Sequence, residues 1–350
     1  MVDEESQSTR EPDVPIGAIQ VVDPEVITKL PPGTHVLKIA AHGASFWART
    51  ARLDVEQDGI RKEYFLKTSS GELGRDMVAS EYHCMSKVRA VAPDLVPEVI
   101  AWGTYADMSN VHFLLCEFRV MTGQIPPAEA LAERVAELHC KSSSAGGNSR
   151  FGSDVPTFHG NVRVEHGWSD SWEGYFARTT RVLFELEQEA QGDNEVIRQM
   201  MVPFFEKVIP RLLRPLQTGG RSIHPSLIHG DLWHGNAETD GTTGLPIIFD
   251  AASFYAHNEY ELGVWRQPWN EINEAYRAAY HKHFPKSQPK EDCDYRNALY
   301  AVRVNVLDSI LYKDDPSYRQ MLISGMCELI DKFPGGFEEW EASQGKHRYE

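Results

Sequence analysis

Leu227-Ile228-His229-Gly230-Asp231-Leu232-Trp233-His234-Gly235-Asn236, followed by Ile247-Ile248-Phe249-Asp250, is the stretch that decides the fold. It sets down a carboxylate, an amide five residues on, and a second carboxylate 19 positions after the first, closing an apolar run. Phosphoryl transfer needs such a set. One Asp, here Asp231, takes the proton of an attacking hydroxyl, while Asn236 and Asp250 hold the magnesium that neutralises the phosphates of ATP. The reaction asks little covalent chemistry of a protein, so these few oxygen-bearing side chains can be most of its apparatus.

The same Asp-x-x-x-x-Asn spacing marks the catalytic loop of protein kinases, with Asp250-Ala251-Ala252 standing where those carry Asp-Phe-Gly. A kinase-like chain must also supply a β-rich unit upstream, and residues 34–68 read as strands. Residues 36–40 lead to a Gly43-Ala44-Ser45 turn, residues 46–55 follow, and Asp58-Gly59 is a strong two-residue hairpin signal before a return strand over 60–67. Residues 71–90 read as a helix with Leu73, Met77, Cys84 and Val88 on one stripe and Glu81 within it. Strands over 100–102 and 111–118 complete a five-stranded, one-helix unit.

Within that unit a phosphate-binding cation and an anion to hold it are required. Strand alternation puts Phe65 and Lys67 on one face, and Glu81 on the core side of the helix makes a coherent partner for Lys67. The Gly43-Ala44-Ser45 turn is placed to offer backbone amides to phosphates, or is a simple hairpin turn with a single glycine. Glu117, Phe118 and Arg119, where β-rich sequence gives way to helical sequence, would offer main-chain groups to adenine.

After Gly123 the pattern turns helical: Leu131, Val135 and Leu138 mark one helix, and Trp172, Tyr175, Phe176, Thr179, Val182, Leu183 and Leu186 give the apolar face of another. A Ser/Gly loop covers 142–149, and further helices read over 271–281, 295–313 and 318–332. The fold class is therefore α+β: a bilobal protein-kinase-like fold with a small antiparallel N-lobe sheet and one helix, and a larger, mainly helical C-lobe. The division reads as a flexible acidic tail over 1–16, an N-lobe over 17–121, a C-lobe over 122–340 and a C-terminal tail over 341–350.

The two histidines of the motif admit two readings. His229 and His234 with Asp231 could begin a zinc site, but no second His/Asp cluster completes one, and His229 as a hydrogen-bonding brace of the loop is preferred. Trp233 and His234 are candidates for the acceptor site, Trp233 equally for packing under the loop. In the segment 257–263, read as helical, Glu261 could anchor the chain by an ion pair, with Arg266 a partner, or could simply favour a helix start.

Composition bounds the setting. The 350 residues suffice for two cores, at 41% hydrophobic and 25% charged. A formal net charge of −16 argues against a general nucleic-acid surface; it would tolerate basic partners or serve solubility alone. No apolar stretch is long enough to span a membrane, residues 1–15 are too acidic and polar for a signal peptide, and Val2 excludes N-myristoylation. Five scattered cysteines without a Cys-x-x-Cys pair read as reduced thiols, so a cytoplasmic location is expected.

Three segments together resemble one family: His229-Gly230-Asp231-Leu232-Trp233-His234-Gly235-Asn236, residues 247–255 (Ile-Ile-Phe-Asp-Ala-Ala-Ser-Phe-Tyr) and residues 257–262 (His-Asn-Glu-Tyr-Glu-Leu). They look like the fructosamine/ketosamine-3-kinases, relatives of the aminoglycoside phosphotransferases. His-Gly-Asp…Asn is shared with aminoglycoside and choline kinases, whereas the internal Leu-Trp and the Ala-Ser-Phe-Tyr…Glu-Tyr-Glu-Leu continuation are more specific. The resemblance runs from about residue 39 to 332. It implies ATP- and magnesium-dependent phosphorylation of the 3-hydroxyl of a ketosamine, ribulosamine favoured over fructosamine, on glycated protein lysines or small ketosamines, with spontaneous deglycation as a protein repair. By motif, Asp231 would be the general base, Asn236 and Asp250 the metal ligands and Lys67 the phosphate contact. Three departures stand out: Ala251 replaces a proline common after the metal-binding Asp, the 43–45 turn is sparse in glycine, and no cysteine precedes Cys84, which puts in doubt the redox-linked dimer of some relatives; a monomer is expected. The rival readings are a kinase of free aminoglycosides or choline, a nucleotide-binding pseudokinase scaffold, and a metal hydrolase using His229 and His234.

Overall fold

A computed structural model of the chain describes residues 13–45, 47–143 and 148–346. The part of the expected acidic tail over 1–12, residue Phe46, residues 144–147 of the Ser/Gly loop and residues 347–350 lie outside the described residues. Two compact units result, one comprising the chain up to Ile125 together with Ala237–Ala252, the other Pro126–Asn236 and Ser253–Glu350.

The first unit opens with a short helix α1 (Pro24–Lys29), capped by Asp23, whose carboxylate accepts from the Glu25 N–H at 2.8 Å. The same carboxylate accepts from the Ala106 and Asp107 N–H groups at 2.8 and 3.0 Å, tying a distant loop to the N-terminal segment. Five antiparallel strands follow: β1 (Thr34–Ala44), β2 (Arg49–Gln57), β3 (Ile60–Ser70), β4 (Val99–Thr104) and β5 (Val111–Glu117), in the sheet order β1-β2-β3-β5-β4. The β2–β3 turn is the expected Asp58-Gly59, and both residues have positive φ (52° and 78°), as a tight hairpin loop of matching twist demands.

Alternation along β3 divides two cores. Tyr64 and Leu66 join Leu53, Val55, Phe113 and Leu115 on one face, and Val14, Ala18, Ile19 and Val26 cover that cluster. Val14, expected in a free tail, is thus buried. Phe65 and Lys67 face the other way, towards helix α2 (Gly71–Val91). The buried stripe of α2 runs through Gly74, Val78, Met85 and Val88, with Cys84 beside it, while Leu73 is 44% exposed. The stripe is therefore rotated by one residue at its start from the expected one.

The segment Ala237–Ala252 packs with this sheet unit, whereas the sequence division assigned it to 122–340. Its Ala237–Thr239 and Pro246–Ile248 edges pair antiparallel. The Thr122 N–H donates to Thr239 O, the Ile248 N–H donates to Leu95 O at 2.9 Å, and Arg119 reaches Asp240 at 3.3 Å.

The second unit is mainly helical: α3 (Ala128–Ser143), α4 (Trp172–Gln191), α5 (Glu195–Pro203), α6 (Ile209–Leu213), α7 (Glu274–His283), α8 (Cys293–Leu311), α9 (Pro316–Lys332) and α10 (Gly336–Lys346). It also holds strands that the sequence reading lacked: β6 (Phe151–Ser153), β7 (Thr157–His159), β8 (Val162–Val164) and β9 (Gly167–Ser169). Strands β6 and β9 join Ser226–Leu227 and Tyr255–Ala256 in a four-stranded sheet, and β7 pairs with β8. The expected α4 face holds for Trp172, Tyr175, Phe176, Thr179 and Leu183, but Val182 is 47% exposed. The core centres on Trp172, whose indole N–H donates to the Tyr300 hydroxyl at 2.9 Å, and on a buried Glu259–Arg296 pair at 2.7 Å. Residues 258–266 form 3-10 turns, not an α-helix. Among the described residues no helix is long and apolar enough to cross a membrane.

Candidate active site

In the sheet unit, β3 delivers Lys67 and α2 delivers Glu81, and the ammonium lies 2.8 Å from the Glu81 carboxylate. Asp250, at the end of the inserted segment, places Oδ1 3.1 Å from the same nitrogen. Burial by itself would lower the Lys67 pKa, but the Asp250 and Glu81 carboxylates outweigh it and hold the ammonium above its ordinary value. Burial pushes Glu81 up to about 8, opposed by Lys67 and aided by the Asp250 charge. Two carboxylates thus share one cation. Asp250 sits in the left-handed region (φ 57°), which a short polar side chain tolerates and which is rare enough to mark a built feature.

The two other nucleotide candidates are differently arranged. Strand β1 continues through Gly43 and Ala44, with a register shift between Ala41 and Gly43. Ser45 Oγ accepts from the Trp47 and Ala48 N–H groups at 3.3 and 3.1 Å, so two amides of the turn are engaged internally. At the end of β5 the Glu117 N–H donates to Glu98 O at 2.7 Å and the Phe118 N–H to Glu63 O at 3.3 Å. Those two donors serve the fold, and the Arg119 guanidinium pairs with Glu117 at 3.0 Å and with Asp240.

In the helical unit the catalytic-loop candidate is fixed through its backbone. Glu261 is fully buried, and its carboxylate accepts from the His229 N–H at 2.5 Å and the Gly230 N–H at 3.0 Å. His139 Nε2 stands 3.4 Å from the same carboxylate. Glu261 therefore anchors the loop itself, whereas Arg266, its expected partner, pairs with Asp294 at 2.7 Å. Gly230, with φ 88°, makes the turn that a Cβ would strain. Asn236 Nδ2 donates to Asp231 O at 2.8 Å and to Asp231 Oδ2 at 3.2 Å. That orientation leaves the Asn236 carbonyl oxygen as its ligating atom. In the sheet unit, taken by itself, the half-exposed Asp250 carboxylate likewise offers oxygen, the donor type magnesium takes.

His159 was missed in the sequence. It comes from β7, 72 positions before Asp231, and its Nδ1 lies 3.5 Å from Asp231 Oδ1. The only signal for it was a His between Phe158 and Gly160 in a stretch without clear periodicity. His229 is buried and its Nδ1 accepts from the Asp231 N–H at 3.3 Å, the bracing arrangement. His234 Nδ1 and the His234 N–H both meet Asn270 Oδ1 at 3.1 Å. The two histidines are thus engaged separately, and among the described residues no group of three or more His, Cys, Asp or Glu is arranged to hold a metal ion. Trp233 packs over Gly235, where a Cβ would collide with the indole, and its ring meets Trp269 edge-on at 6.0 Å.

A Lys–Glu pair on an antiparallel sheet unit and an Asp-x-x-x-x-Asn loop in a helical unit define the class, the kinase-like fold of small phosphotransferases. A Thermobifida fusca protein described as a fructosamine-3-kinase shares it at TM-score 0.66 and 20% identity, over 85% of this chain and 95% of that one. The aminoglycoside phosphotransferase APH(4)-Ia, solved with AMP-PNP and hygromycin B, shares it at TM-score 0.55 and 15% identity, over 85% and 94%. The fructosamine kinase family profile matches residues 49–311, and the chain belongs to that family. A ketosamine-3-kinase of Mus musculus is 34% identical over 139 residues, 39% of this chain and 42% of that protein. A chloroplastic protein-ribulosamine 3-kinase of Arabidopsis thaliana is 29% identical over 182 residues, 50% of each chain. The chain thus aligns with about half the length of these two relatives.

Proposed function

We propose that the protein is an ATP- and magnesium-dependent ketosamine 3-kinase, acting on ribulosamines in preference to fructosamines on glycated protein lysines or small ketosamines. The observation that carries this reading is that a chain of the fructosamine kinase family holds a carboxylate-clamped Lys67 within one unit and, within the other, a backbone-fixed Asp231. Asp231 accepts the proton of the 3-hydroxyl, with His159 beside it. Lys67, held by Glu81, contacts phosphate. The Gly43-Ala44-Ser45 turn and the Glu117–Arg119 main chain border the nucleotide. Magnesium, when bound to Asn236 and Asp250, neutralises developing phosphate charge. A cytoplasmic monomer is the accompanying proposal, and relatives named for ribulosamine support the sugar preference.

The chemistry needs no second catalytic step. Phosphate on C3 stands next to the C2 ketone. Enolisation between C1 and C2 supplies the electron pair that expels phosphate from C3, and hydrolysis of the resulting imine frees the lysine. The protein only phosphorylates, and deglycation follows.

The test is mass spectrometry of a ribated lysine peptide incubated with the protein, ATP and magnesium, alongside Asp231→Asn. A gain of one phosphate, followed by slow return to bare peptide and absent in the variant, is the expected result. Turnover of ATP with aminoglycoside or choline but with no ketosamine would move the protein to the small-molecule kinases. Tight ATP binding without turnover of any acceptor would make it a scaffold.

A further inference from the structure

In the helical unit, one polar face of α8 is not explained by the fold. Ala301, Asn305 and Asp308 lie on it at helical spacing, and the loop over 267–270 is fastened to it by Gln267 Nε2 donating to Ala301 O at 3.0 Å. Asp308 and Asn305 are each only 7% exposed, yet Asp308 Oδ2 and Asn305 Oδ1 have no hydrogen-bond partner. The buried indole N–H of Trp269, on the fastened loop, is directed at Asp308 and also completes no hydrogen bond. Three orphaned polar atoms in one place are costly and call for a ligand. The place is next to the chemistry: Trp269 meets Trp233, two residues past Asp231, and the Asp231 charge is felt at Asp308.

We infer that Asp308, with Asn305 and Trp269, forms the subsite that receives the secondary ammonium of the ketosamine while Asp231 faces its 3-hydroxyl. This rests on the ketosamine kinase reading. The ammonium is four bonds from O3, through C1, C2 and C3, so a carboxylate near Asp231 is where it must be met. The indole N–H can donate to the sugar's C2 carbonyl oxygen, and Asn305 Oδ1 can accept from its C4 hydroxyl. Burial, and then the Asp231 charge, push Asp308 up to about 8, with the Trp269 indole opposing. Tyr312 at the end of α8 and Tyr318 on α9 are the other titratable groups that feel it. At pH 7 Asp308 thus holds a proton that an arriving ammonium displaces, so the cation itself switches the subsite on.

The experiment uses the full chain and two probes, a ribulosyl-lysine peptide and its neutral N-acetylated counterpart. Kinetics and calorimetry are run on the wild type, Asp308→Asn and Trp269→Phe. Asp308→Asn is expected to raise KM for the charged peptide about 10- to 100-fold, the range for losing a charged hydrogen-bond partner, with kcat and the KM for ATP nearly unchanged. Affinity for the acetylated peptide should not move. The wild type alone gives a second reading: binding of the charged peptide at pH 7 should release about one proton to buffer, a release absent in Asp308→Asn. Equal loss on both peptides, a fall in kcat without a change in KM, or no proton release would overturn the subsite. A wild type that binds the charged peptide with proton release but never phosphorylates it would keep the subsite and remove the kinase reading. A wild type that turns the peptide over indifferently to Asp308→Asn would do the reverse.

Discussion

The Lys67 cluster and the Asp231 loop solve the same problem, holding a carboxylate where chemistry needs it, by different means. In the sheet unit Asp250 is held by charge, sharing one ammonium with Glu81 from a half-exposed position. In the helical unit Asp231 is held by geometry: a buried Glu261 grips two backbone N–H groups of its loop, and Asn236 grips its carbonyl and carboxylate. A charge clamp can be released by a competing cation or a phosphate. A backbone clamp keeps its shape whatever is bound, which suits a base that must be in place before the acceptor arrives.

The sharpest break of this comparison exchanges one residue in each region. Asp231→Asn should lower kcat by roughly two to four orders of magnitude, the usual effect of removing a positioned base, while ATP binding is retained. Asp250→Ala should instead abolish magnesium-dependent ATP binding, read in a magnesium titration; unchanged affinity there would remove Asp250 from the metal site. A smaller effect is expected from the clamps. Glu261→Gln keeps the shape but weakens the grip on His229 and Gly230, and kcat should fall by up to ~100-fold with little change in the KM for ATP. Lys67→Met should show the opposite split, raising the KM for ATP about 10- to 100-fold as a charged contact is lost. If both clamp variants change the same kinetic constant, the distinction between the two regions fails.

The two regions were also unequally legible. Lys67 and Glu81 could be paired from sequence because strand alternation and helical spacing fix which way each points. Asp231, Asn236 and Asp250 could be named because their spacing is local. Glu261 was seen as an anchor but given the wrong partner, since a backbone N–H leaves no trace in a sequence, whereas Arg266 looked like a counter-charge. His159 and the four-stranded sheet of the helical unit were not legible, because strands of two or three residues carry no periodicity. The helices over 195–217, which contain Pro203, Pro210 and Pro215, are absent from the sequence reading. The helical run continues through these prolines, widening to a π turn over Phe204–Val208 ahead of Pro210 and tightening to a 3-10 turn at Pro215. The orphaned atoms around Asp308 were invisible for a related reason: an Asp on a helix face reads as solvated until burial is known.

The smallest expected effect lets stability report on both regions at once. Glu81 in the sheet unit and Asp308 in the helical unit are each pushed up to about 8 by burial, far above the ordinary carboxylate range they recover on unfolding. A carboxyl whose pKa is raised in the folded state binds more protons folded than unfolded, so it contributes stability at low pH that is lost as pH rises towards 8. The contribution of these two carboxyls to thermal stability should therefore fall between about pH 5 and pH 8, against the opposite contribution of buried His257, held near 4, and relative to the wild type Glu81→Gln and Asp308→Asn should each lose roughly 2–4 °C less in Tm over that window. Lys67 does not blur the window, because its raised pKa shifts its own loss to strongly alkaline pH. The regions then separate by ligand. ATP with magnesium should change the pH slope of the Asp308→Asn protein, in which Glu81 still titrates, more than that of Glu81→Gln. A ribulosyl-lysine peptide should do the reverse. A slope that neither substitution flattens would mean that neither carboxyl holds its proton at neutral pH.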